Sequence, residues 1–68
     1  MEKYTEAIEV FRLNVEVFPE SWNVYDSYAE ALMKSGDTEN AVLNYNKSLD
    51  LNPENDNARE MLETLEKQ

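Results

Sequence analysis

The sequence predicts an all-α domain of antiparallel helical hairpins, and three observations carry that prediction. Breakers are few and well placed: the 68 residues hold one glycine and two prolines, at Gly36, Pro19 and Pro53. The stretches between them are rich in Ala, Leu, Glu, Lys and Met, with apolar residues at helical spacing and no strand-like alternation. The chain also repeats itself: "YTEAIEVFRLNVEVFPES", from Tyr4 to Ser21, has the build of "GDTENAVLNYNKSLDLNPEN", from Gly36 to Asn55.

Four helices follow. The first spans about Lys3 to Phe18, with Ala7, Ile8, Phe11, Val15 and Phe18 on one face. Val10, Leu13 and Val17 widen that apolar surface. Pro19 stops the helix, because the residue before a proline is pushed out of the helical region. The second starts after Ser21 as N-cap and carries Val24, Tyr25, Tyr28, Ala31 and Leu32 as its stripe. It ends at Gly36, which takes a left-handed C-terminal position without a Cβ penalty. The third starts after Asp37 as N-cap and turns Ala41, Val42, Tyr45, Leu49 and, less centrally, Ser48 inward. Pro53 ends the turn after it. The fourth starts near Glu54 to Asp56 and carries Ala58, Met61, Leu62 and Leu65. The loops are short, so consecutive helices are antiparallel neighbours.

The totals exclude much. A chain of this length hides only about 60% of its unfolded surface, too little for an extended catalytic cleft. Fifteen Asp and Glu stand against six Lys and Arg, a net charge of -9. That field repels nucleic acid and anionic membrane surfaces. There is no Cys and no His, so disulfides, thiolate metal sites and the commonest acid–base group near neutral pH are all missing. No apolar run approaches the roughly 20 residues of a membrane span. The opening "MEKYTEAIEV" lacks the basic, apolar, small-residue succession of a signal peptide.

Sliding the chain until Ala7 falls on Ala41 also sets Ile8 on Val42, Phe11 on Tyr45, Val15 on Leu49, Val17 on Leu51, Pro19 on Pro53 and Glu20 on Glu54. A 34-residue period of paired helices is the tetratricopeptide repeat spacing, and the unit from Trp22 to Asn55 resembles that family closely. Its first-helix aromatic, large, small and large positions match Tyr25, Tyr28, Ala29 and Leu32. The inter-helix glycine matches Gly36. The second-helix small, aromatic and small positions match Ala41, Tyr45 and Ser48, and the terminal proline matches Pro53. Tyr25 stands where Trp is common, Ala29 where Gly is, and Ser48 where Ala is.

The resemblance implies a right-handed α–α superhelix, with the helices in the order B, A, B, A. Residues 1–68 then form one domain: a half repeat over 1–21, a complete repeat over 22–55, and a half repeat or capping helix over 56–68. Such a register suits a fragment of a longer protein. The run from Phe18 to Ala58 is also similar to the C-terminal repeat tails of some bacterial serine-hydrolase and β-lactamase-related proteins.

Catalytic readings fail on their own terms. Ser21, Ser27, Ser35 and Ser48 have no histidine base, no G-x-S-x-G turn and no Ser-x-x-Lys match. The calcium-loop-like "DLNPENDNARE" has Asn55 where the sharp turn needs glycine, and Met61 where a bidentate Glu should close it. The Asn46-Lys47-Ser48 sequon lies mid-helix, where chance explains it. No cofactor or metal is implied.

The candidate binding surface is the concave face that first helices of such repeats line. By the resemblance it comprises Asn23, Asp26, Ser27, Glu30 and Lys34, with Met33 nearby. Asp26 and Glu30 stand where some members use Lys and Asn to hold a peptide's terminal carboxylate. Two carboxylates would repel that ligand, so a bound peptide should be neutral or basic. A second candidate surface is apolar: Tyr4, Val10, Leu13 and Phe18 on the first helix suit self-association, as a homo-oligomer or domain-swapped dimer. The expected function is therefore protein–protein interaction as a scaffold or adaptor. The alternative is a structural cap or oligomerising appendage of a larger protein.

Overall fold

In the computed structural model, residues 2–67 are described, with side chains over 5–67. Four α-helices follow in order: α1 (Glu2–Val17), α2 (Trp22–Ser35), α3 (Thr38–Leu51) and α4 (Asp56–Glu66). No strand occurs among the described residues. Each helix packs on its neighbour in sequence, most extensively α2 on α3. The result is a slab of 30 × 30 × 14 Å, as expected of stacked hairpins.

Local chemistry sets the boundaries. The Phe18 amide closes α1 on the Asn14 carbonyl at 2.8 Å, and the Ser21 amide closes the Pro19 turn on the Phe18 carbonyl at 3.1 Å. Ser21 occupies the N-cap position of α2 in extended conformation, but its side chain makes no cap hydrogen bond. At the other end Gly36 is left-handed, with φ of 96°. Its amide donates to the Met33 carbonyl at 3.1 Å and the Asp37 amide to the Leu32 carbonyl at 2.9 Å. Those two bonds form a Schellman closure, which satisfies carbonyls the helix leaves open. Asp37 then caps α3: one carboxylate oxygen accepts from the Asn40 amide at 3.2 Å and the other from the Asn40 side chain at 2.8 Å. Asn55 caps α4 by accepting from the Ala58 amide at 3.2 Å.

The core lies to one side. Ala29, Leu32, Ala41, Tyr45, Ala58, Leu62 and Leu65 form the buried cluster, drawn from α2, α3 and α4. Ala29 and Ala41 are fully buried, and their small side chains let α2 and α3 approach while Leu32 and Tyr45 fill the space beside them. From α1, among the described residues, Ile8 packs against this cluster. Ser48, expected at the edge of the inner face, is instead fully buried. Its hydroxyl donates to the Trp22 carbonyl at 2.9 Å, and that bond makes a central hydroxyl tolerable.

Candidate functional site

The six candidate groove residues do not stay together. Ser27, Glu30 and Lys34 line an open cleft of about 230 Å³, whose other walls are Ala31 of α2 and Ala7 and Phe11 of α1. Lys34 pairs with Glu30 one turn earlier at 3.4 Å, both more than half exposed. Such a pair contributes little to stability and is free to rearrange around a ligand. Asn23 is exposed on the same helix. Met33 turns the other way and packs against the core.

Asp26 also leaves the groove. Its carboxylate accepts from the Asn55 side chain at 2.8 Å and from the Asn57 side chain at 3.3 Å. The same Asn55 amide nitrogen donates to the Ser48 hydroxyl at 2.9 Å. Buried Asn55 thus joins three helices: it caps α4, reaches back to α3 through Ser48 and ties down Asp26 of α2. Periodicity identified Asn55 only as a helix start. Its bonds to Asp26 and Ser48 cross the fold, and a local pattern carries no trace of them. Burial pushes the Tyr45 phenol up to about 12, and the fields of Asp26 and Glu30 add to the shift.

The repeat period recurs in the hydrogen bonds. The Tyr25 hydroxyl donates to the Pro19 carbonyl at 2.8 Å. One repeat further on, the Arg59 guanidinium donates to the Pro53 carbonyl. Two unlike side chains tie the start of an A-type helix to the preceding turn.

The two ends of the stack differ. One repeat after Tyr25, Ala29 and Leu32 stand Arg59, Glu63 and Glu66, all exposed. The outer face of α4 is therefore charged where the matching face of α2 is core. On α1 the opposite holds: Val10, Leu13, Val17 and Phe18 are 52–65% exposed. Leu43 on α3 is 61% exposed as well; nothing in the periodicity marked it. Tyr4, the remaining residue of the candidate self-association surface, lies outside the described side chains. Arg12 bridges Glu9 at 3.0 Å and Glu16 at 2.9 Å along α1.

Chemistry at the cleft is limited to packing, hydrogen bonding and charge. The four serines do not assemble with a base. Ser35 donates to the Leu32 carbonyl of its own helix, and Ser48 is consumed in the core. The sequon serine is that same buried Ser48. No cluster of three acidic, His or Cys side chains suited to a metal ion occurs among the described residues. No described helix is long and apolar enough to cross a membrane.

Against known proteins, residues 23–55 match the family model described as tetratricopeptide repeat. No curated protein shows a significant match to the chain.

Proposed function

From the premise that this chain is a member of the tetratricopeptide-repeat family through residues 23–55, we propose that it is a non-enzymatic interaction module that binds a neutral or basic segment of another protein. Repeats of this family mediate protein–protein interaction and are not catalytic. The finer statement is where and what this chain binds. The observation that carries it is the cleft between α1 and α2: an apolar floor of Ala7, Phe11 and Ala31 under a polar rim of Ser27, Glu30 and Lys34. Such a site suits an apolar anchor flanked by a hydrogen-bonding or cationic group. Asn23 extends the rim. Asp26 and Met33 contribute only indirectly, because both are engaged toward α4 and the core.

Charge sets the sign of the ligand. The net charge of -9 attracts basic segments and repels acidic ones, an effect that salt screens. The test is a titration of basic, neutral and acidic peptides followed by NMR. Binding of the basic set at Ser27, Glu30 and Lys34 supports the proposal, and equal binding of the acidic set sinks it.

A second reading is self-association through Val10, Leu13 and Phe18, favoured by their exposure. Light scattering over a range of concentrations decides it. A mass that rises with concentration, and falls when Val10 and Leu13 are made polar, supports it; a constant monomer mass removes it.

A further inference from the structure

We propose that the bare face of α1 docks one amphipathic, net-basic α-helix of a partner protein, in the antiparallel register that α2 takes on α3. This rests on the interaction-module reading and specifies the form of the ligand. The argument begins with the internal duplicate. Ala41 and Tyr45 of α3 are 0% and 1% exposed, in a cluster they form with residues of both α2 and α4. Their counterparts one repeat earlier, Ala7 and Phe11, are only half-buried and wall the open cleft. The same small-plus-aromatic pair is therefore presented twice, once in a core that residues of α2 and α4 close together and once at an open cleft whose other wall is α2.

The register extends to the rim. On α3 the Lys47 ammonium lies 5.9 Å from the centre of the Tyr25 ring. Its counterpart on α1 is Leu13, so an aromatic or aliphatic group placed like Tyr25 on the incoming helix would meet an apolar side chain. Asn44, one turn before Lys47 and Ser48, has Val10 as its counterpart. α1 is thus more apolar than α3 along the edge that α2 overlaps. About 14 helical residues span roughly 21 Å, so a single helix the length of α2 covers the face from Ala7 to Phe18.

Charge distinguishes the occupant. Glu6 lies one turn before Val10, and Glu9 and Glu16 lie a turn to either side of Leu13. All three are exposed, and among the described side chains of this helix Arg12 alone offsets them. Lysine or arginine flanking the apolar stripe of the incoming helix would meet these carboxylates. A second copy fits poorly. It brings a further -9, its α2 is already packed on α3, and its α4 offers Arg59, Glu63 and Glu66 where Tyr25, Ala29 and Leu32 are needed.

The probe is a synthetic peptide of residues 21–36 of this chain with Asp26→Lys and Glu30→Lys. It is titrated into the isotope-labelled 68-residue chain and followed by NMR. The expected result is saturable shifts at Ala7, Phe11 and Leu13 in the micromolar range, weakened by added salt. Leu13→Asp in the protein should weaken binding about tenfold or more, with Val10→Asp as an independent second variant. Both positions are exposed, and circular dichroism verifies the fold. A control peptide that also carries Ala29→Glu and Leu32→Glu should not bind.

Any of these results overturns the proposal: no shifts up to millimolar peptide, binding insensitive to both variants, shifts at Ala41 and Tyr45 instead, or a protein already dimeric through α1. Shifts confined to Asn23 and Glu30 also overturn it, yet leave the cleft-binding reading intact. Shifts on α1 with no response of Glu30 or Lys34 to unstructured basic peptides uphold helix docking and remove the cleft reading.

Discussion

α1 and α3 carry the same pattern and meet different fates. Ala41 and Tyr45 are sealed in the core; Ala7 and Phe11, at the same repeat positions, stand at an open cleft. The sequence of a helix states which face is apolar. It does not state whether another helix lies opposite. Burial in a stacked-hairpin fold is a property of the pair, so one motif serves as core in one place and as surface in another.

The largest test of this contrast is truncation of the two aromatics. Tyr45→Ala should cost about 3–5 kcal/mol, the usual range for removing a buried aromatic. A small domain has little more than that to lose, so the variant should be largely unfolded. Phe11→Ala should cost about 1–2 kcal/mol, because a half-buried ring loses less apolar contact. Urea denaturation followed by circular dichroism measures both, and equal losses would erase the distinction between the two helices.

Alkaline pH sharpens the same comparison. The Tyr45 phenol is raised from an ordinary value of 10.0 to about 12. The unfolded chain therefore ionises first, and folding is weakened as pH rises from about 10 through 12. The stabilisation at stake is at most about 2–3 kcal/mol, fully present below pH 10. A denaturation midpoint flat between pH 9 and 11.5 would show that the ring is not held in its desolvated site.

The two N-caps give a smaller contrast. Asn55→Ala removes a buried hub that caps α4 and bonds both Ser48 and Asp26, and should cost about 1–3 kcal/mol. Ser21→Ala, at the equivalent position before α2, removes no cap bond and should cost under about 0.5 kcal/mol. If the serine change costs as much, the repeat equivalence fails to predict local energetics. Smallest of all, Leu13→Asp should shift stability by no more than about 0.5 kcal/mol. A loss of several kcal/mol would show that Leu13 is covered in solution.

Much of the fold was legible in residues 1–68. The four helices, the left-handed Gly36, the Asp37 cap and the inward turn of Ala41 and Tyr45 all follow from spacing and local chemistry. The candidate site was legible only in part. The resemblance to the repeat family groups Ser27, Glu30 and Lys34 on one face, and they line the cleft together. Asp26 is on the neighbouring edge of that face, and a local reading counts it as free. It is engaged by Asn55 and Asn57, 29 and 31 residues away, and no helical period encodes a contact across three helices. Ser48 reads as an inward residue less central than Ala41 and Tyr45; the Trp22 carbonyl that satisfies its fully buried hydroxyl arrives from another helix.

By itself, then, the sequence determined where each helix starts and stops and which of its faces is apolar. Those follow from dihedral preference, capping and the 3.6-residue turn, all local in the chain. Only the tertiary structure decided which apolar face becomes core and which polar residue becomes a strut. It also left Val10, Leu13, Val17 and Phe18 of α1 exposed and the outer face of α4 charged. Desolvation is a property of what lies on the other side of a side chain, and in this fold that neighbour comes from a different helix.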